Sequence, residues 1–156
     1  MAQAKDAAGK IVVGVDGSVS SKTALRWAVR QAELTGSKVE AVIAWQYPTM
    51  VGGFGAGPVS AMSLNFDEIA AKTLSDSVAE VVDPATRARI STAVIEGHPA
   101  QVLLRAAEGA DLLVVGSRGH GGFASALLGS VSQHCAHHAP CPLIIVRACA
   151  TFPSGL

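Results

Sequence analysis

An α/β domain with a single open, five-stranded parallel sheet and helices on both faces is what this sequence predicts, and three observations carry the expectation. Short apolar runs alternate along the chain with stretches whose apolar residues recur at helical spacing. Most of the runs are continuously apolar rather than alternating, the pattern of strands covered by helices on both faces. The joints between them are short, and strand, helix, strand units of that kind close as right-handed parallel crossovers. The length of 156 residues suits one domain with one core.

Taken in order, Lys10 to Ser18 (KIVVGVDGS) supplies a first strand closed by glycines. Ser18 to Thr35 offers serines as N-caps, then Leu25, Ala28, Val29 and Ala32 on one helical face, with Gly36 as the stop. Val39 to Trp45 is the second strand. Tyr47 to Ser63 holds four glycines and two prolines, which preclude a regular element and predict a long, mobile connection, either a lid over a ligand or a loop in solvent. A second helix follows with the face Ala71, Leu74, Val78 and Val81, and Pro84 falls just after its expected end. Ile90 to Ile95 alternates in polarity, so it predicts a strand at or near a sheet edge. His98-Pro99-Ala100 opens a third helix whose buried stripe is Ala100, Leu103, Leu104 and Ala107. Asp111 to Gly116 is the most apolar strand and is expected inside the sheet. A fourth helix carries Ala124, Leu127, Leu128, Val131 and Cys135, and Pro142 to Arg147 (PLIIVR) is the last strand.

Composition narrows the function. Twelve basic and twelve acidic residues cancel, so no global field draws in a nucleic acid or an anionic membrane. No run approaches the roughly 20 apolar residues that span a bilayer, and the first residues lack a secretory pattern, so the expected location is the cytoplasm. Cys135, Cys141 and Cys149 form no even framework and no C-x-x-C pair; they read as reduced thiols, the first two as small core residues. Residues 1–9 and 148–156 are expected to be flexible ends flanking a domain of residues 10–147.

In an open parallel sheet a ligand sits beyond the carboxyl ends of the strands where strand order reverses. Gly14-Val15-Asp16-Gly17-Ser18 leaves the first strand, and Gly116-Ser117-Arg118-Gly119-His120-Gly121-Gly122 leaves the fourth, followed by Gly129-Ser130-Val131-Ser132. Glycine lets main-chain N–H groups approach an anion and form a concave nest, so a phosphate site is the natural reading. Glycines that merely turn strand into helix are the plain alternative, as is Asp16 acting only as a helix cap. Neither G-x-x-x-x-G-K-[ST] nor a G-x-G-x-x-G after the first strand occurs, so a Walker-type NTPase and a dinucleotide oxidoreductase are unsupported. The i, i+4 pair His134 and His138 has no motif-linked acidic or cysteine ligand beside it, and no metal site is expected there. His98 reads as a helix start rather than an acid–base group.

Gly116, Gly119, Gly129 and Ser130 spell G-x2-G-x9-G-[ST]. This resembles the ATP-binding signature of the universal stress proteins. The resemblance extends to the opening IVVGVDGS, the middle EGHPAQVLL and the block from DLLVVG to PLIIV, hence to nearly the whole chain. It implies a bacterial, ATP-binding member of that family with a Rossmann-like, adenine nucleotide alpha-hydrolase-like fold of strand order 3-2-1-4-5. It further implies that Gly14, Val15 and Asp16 meet the nucleoside and that Ala44 or Trp45 lies by the adenine. Val115 and Gly116 would border the ribose, and Gly119, Gly129, Ser130, Val131 and Ser132 would take the phosphates through N–H and hydroxyl donors. Arg118 either forks onto phosphate or lies in solvent. The ligand implied is ATP, with Mg or Mn bridging its phosphates, and the assembly implied is a homodimer through the last strand, Pro142 to Arg147, whose apolar edge a second copy can cover. The expected role is a stress-response regulator acting through an unidentified protein partner, with ATP hydrolysis slow at most. The alternatives are a nucleotide-free or AMP- or cyclic-AMP-binding interaction module and an adenylyl-transfer enzyme, although the histidine or lysine motifs of such enzymes are missing near the first strand.

Overall fold

A computed structural model describes residues 8–48, 64–119 and 128–148. The chain runs β1 (Lys10–Gly14), α1 (Val19–Thr35), β2 (Lys38–Trp45), α2 (Phe66–Val81), a short α3 (Pro84–Arg87), β3 (Ile90–Glu96), α4 (Pro99–Ala106), β4 (Leu112–Gly116), α5 (Ser130–His138) and β5 (Leu143–Val146). All neighbouring strands are parallel, in the order β3-β2-β1-β4-β5. Strand order therefore reverses between β1 and β4, which opens a crevice at their carboxyl ends.

The pleat divides the side chains into two cores. Ile11, Val13, Val39, Ala41, Ile43 and Val114 face Leu25, Ala28 and Val29 of α1 and Leu74 and Val78 of α2. Val12, Val42, Leu113 and Val115 face Leu103 and Ala107 beside α4 and Cys135 of α5. Because each strand sends consecutive residues to opposite layers, the continuous apolar runs are what a doubly covered sheet requires. The ends of α1 follow from capping chemistry. Ser18 accepts a bond from the Ser21 N–H at 3.3 Å, and Gly36, at φ 69°, ends the helix in the left-handed region that glycine enters without strain.

Three expectations shift. The buried stripe of α2 is Ala70, Leu74, Ser77 and Val78, and Ala71 is exposed. Ser77 can be buried because its hydroxyl donates to the Thr73 carbonyl at 2.7 Å, which turns a polar residue inward and rotates the stripe. Pro84 starts α3 rather than only following α2: Asp83 caps it, accepting from the Thr86 N–H at 2.7 Å, and hydrogen bonds from the Thr86 side chain, then from its N–H, hold the exposed Asp83 carboxyl below its ordinary pKa. On the expected fourth helix, Leu128 instead lies in the bend ahead of α5, whose first residue is Ser130; Ala124 and Leu127 fall outside the described residues. So do most of the 47–63 connection and residues 1–7 and 149–156, Cys149 among them. Among the described residues no helix is long and apolar enough to cross a membrane.

Cys135 is fully buried, and burial pushes its thiol up to about 11, while Cys141, half-buried, is raised by burial and by the charge of Asp111. The thiolate is the reactive form. Cys135 is therefore expected to resist iodoacetamide at pH 8 in the folded protein and to react once it is unfolded in urea. Peptide mass mapping checks this, and prompt native labelling of Cys135 would contradict it.

Candidate functional site

The crevice at the ends of β1, β2 and β4 is an open cavity of about 400 Å³. Its sheet side is Gly14, Val15, Asp16, Val42, Ala44, Val115 and Gly116, and its helical side comes from His98, Pro99 and Leu103 around α4 and from Gly129, Ser130, Val131 and Ser132 at the start of α5. Ser21, Gln46, Arg118 and Gly119 complete the rim.

The β1–α1 turn and the β4–α5 turn are tied to each other. The Ser20 hydroxyl donates to the Arg118 carbonyl and accepts from the Arg118 N–H at 3.3 Å. Asp16 Oδ1 accepts from the N–H of Ser18 at 2.9 Å and from its hydroxyl at 2.5 Å. That leaves Oδ2 facing Gly119, where a β-carbon would lie 2.5 Å from it. The cap role for Asp16 is thus taken by Ser18, and the carboxylate instead braces the turn while staying at the cavity wall. At Gly116 a β-carbon would lie 2.7 Å from the Ser20 carbonyl carbon and 2.8 Å from the Ser21 nitrogen, so glycine is needed for backbone to pass backbone.

The start of α5 is the distinctive chemical feature. Gly129 is the N-cap and its own N–H is bonded to the Ser117 carbonyl at 2.7 Å. Gln133 makes the first intrahelical bond, to the Gly129 carbonyl at 3.0 Å. The N–H groups of Ser130, Val131 and Ser132 precede that bond, and among the described residues no side chain caps the helix, so these donors point out of the helix end on the cavity wall, where the helix dipole also favours an anion. The Ser132 hydroxyl is not available as a donor. It is buried and donates to the Gly116 carbonyl at 2.8 Å, which pins α5 to the end of β4. Ser132→Ala is expected to cost about 1–3 kcal/mol, read from urea unfolding, because it leaves that carbonyl short of a donor in a buried place.

Every residue expected at the site lines the cavity except Trp45. Its side chain lies on the other face of β2, packed on the first core, with its ring 5.3 Å from that of Tyr47. Ala44, the alternative at the same strand end, is on the cavity side. By parallel ladder geometry its N–H and C=O turn toward β1, as those of Val42 do when the Val42 carbonyl accepts from Val15 at 2.9 Å. Ser21, Val42, Gln46, His98, Pro99 and Leu103 also line the cavity, and the sequence reading did not place them there. The phase of the second strand could have found Val42 and Gln46, since both share a face with Ala44. His120 lies outside the described residues.

The residues present fit an adenine nucleotide. Apolar Val15, Val42, Ala44, Pro99 and Leu103 offer faces for a planar base, and the α5 donors offer an anion seat. A divalent cation fits only with help: among the described residues no three His, Cys, Asp or Glu side chains gather as metal ligands, so Mg or Mn here would rely on phosphate oxygens beside Asp16.

Comparison with known proteins agrees with this geometry. The universal stress protein family model matches residues 8–147. A universal stress protein of Mycolicibacterium smegmatis is 34% identical over 141 residues, covering 88% of this chain and 47% of its own length, so the chain spans about half of the curated relatives it matches. A crystal structure of a universal stress protein in complex with cAMP superposes with a TM-score of 0.57 at 28% identity, covering 92% of this chain and 99% of that one. The Archaeoglobus fulgidus universal stress protein in complex with dAMP gives a TM-score of 0.62 at 24% identity, covering 88% and 97%. The chain belongs to the universal stress protein family.

Proposed function

We propose that the cavity binds an adenine nucleotide, ATP in the first instance, and that the chain is a stress-response regulator whose partner recognition depends on that nucleotide. The observation that carries this reading is the uncapped start of α5: three main-chain N–H donors at the wall of an apolar slot. The G-x2-G-x9-G-[ST] spacing supports it, since Gly116 and Gly119 lie where any side chain would collide with Ser20 or Asp16.

Binding rather than turnover is the role that the site chemistry favours. Asp16 is the one carboxylate among the described lining residues; its Oδ1 is held by Ser18, and its Oδ2 is left crowded against Gly119. A general base must be within reach of the attacking water and free to take its proton. ATP hydrolysis is expected to be slow at most, and multiple-turnover hydrolysis at ordinary enzyme rates, lost on Asp16→Ala, would overturn this.

A mononucleotide is the second reading, favoured by the 28% identical structure in complex with cAMP. Mass spectrometry of small molecules released from the purified, denatured protein separates the two. Co-purified ATP supports the first, AMP or cyclic AMP the second, and neither co-purification nor binding in titration would sink both. The outer edge of β5 has no strand beside it among the described residues, and we assign it as the seat of a homodimer through Pro142 to Arg147. Sedimentation at micromolar concentration is expected to show a dimer; a monodisperse monomer would refute it.

A further inference from the structure

We propose that the side-chain amide of Gln46 reads the base, selecting a purine that carries an amino group at position 6; this rests on the nucleotide reading of the cavity given above. Val42, Ala44 and Gln46 fall on one side of β2 and its extension, and all three line the cavity. The phase is secured by the flanking residues, because Trp45 packs on the opposite core and the Tyr47 ring stands edge-on against Trp45.

The two ends of the cavity differ in chemistry. At the α5 end the donors are main-chain N–H groups suited to an anion. At the β2 end the described walls are apolar, and the polar side chains among the described residues there are Gln46 and His98. The Gln46 amide makes no hydrogen bond among the described residues, so its donor and acceptor are both open to a ligand. One strand, β1, separates β2 from β4, which places the two ends ~10 Å apart, two strand spacings. A nucleotide whose phosphate sits on α5 therefore extends its base along the sheet edge toward Gln46. A glutamine amide presents one donor and one acceptor in a plane, the complement of a 6-amino group and the ring nitrogen beside it. His98 offers a ring at the same rim, but it stands at the N-cap of α4 ahead of Pro99, where its backbone is fixed by the helix start. Gln46 lies past the last paired residue of β2, Trp45, where its side chain is free to follow the base.

The test is a cycle between protein and ligand. ATP and purine riboside 5′-triphosphate, which lacks the 6-amino group, are titrated calorimetrically into the wild-type chain and into Gln46→Met, which keeps the length of the side chain and removes its polar atoms. The wild type is expected to prefer ATP by roughly five- to tenfold, the worth of the one hydrogen bond to the 6-amino group that the analogue cannot make. Gln46→Met should bind the two ligands alike, weakening ATP by more than the analogue, which loses only the bond to its ring nitrogen. If ATP binding is intact in the variant, or if both ligands weaken equally, Gln46 does not select the 6-amino group although the cavity still takes nucleotide. If the wild type binds neither ligand, the nucleotide reading itself fails and the proposal falls with it.

Discussion

Gly116→Ala is expected to lower stability by roughly 2–4 kcal/mol and to abolish nucleotide binding at any concentration that saturates the wild type. The added methyl group meets main chain, with the Ser20 carbonyl carbon at 2.7 Å and the Ser21 nitrogen at 2.8 Å. Main chain at the first turn of α1 cannot move aside without breaking the Ser20 and Arg118 bonds that join the two turns. Gly14→Ala is the matched comparison. Its methyl group would meet Leu103 Cδ1 at 2.8 Å, the end of a side chain that can change rotamer, so about 1 kcal/mol is expected. Urea midpoints of the two variants decide the matter; equal midpoints would show that the β4 turn tolerates a side chain against α1.

Ser130→Pro separates the anion seat from the fold. Proline is accepted at the first position of a helix, where the N–H has no intrahelical partner. Its demand on the preceding residue is already met, because Gly129 is extended at φ −70° and ψ 163°. The substitution thus removes one donor from the wall at little structural cost, and stability should change by no more than about 1 kcal/mol. Nucleotide affinity should fall roughly ten- to hundredfold, since a hydrogen bond to a charged group is worth about 1.5–3 kcal/mol. Ser130→Ala, run beside it, isolates the hydroxyl. Unchanged affinity in Ser130→Pro would mean that the start of α5 does not hold phosphate.

Much of the fold was legible because its signals are local. Most strands are continuous apolar runs, each main helix has a period, and the glycines at 116, 119 and 129 mark turns that no larger residue could make or that border the cavity. The losses have local causes too. A serine that satisfies itself on the previous turn, as Ser77 does on Thr73, is invisible to a search for apolar faces. The second strand is apolar throughout its end, so the sequence left Ala44 and Trp45 as alternatives. Only the packing of two different layers tells them apart. Leu103, His98 and Pro99 reach the cavity from a helix half the chain away from β1, and contacts over that separation leave no pattern in either segment.

The donors at the start of α5 belong to the backbone, and this has an evolutionary consequence. Side-chain replacement cannot delete a main-chain N–H; only proline can. An anion seat of this kind can pass through extensive sequence drift unaltered, while the apolar slot and the rim at Gln46 and His98 are exposed to every substitution. Divergence within such a lineage should therefore change which base or sugar is preferred long before it erodes the grip on phosphate.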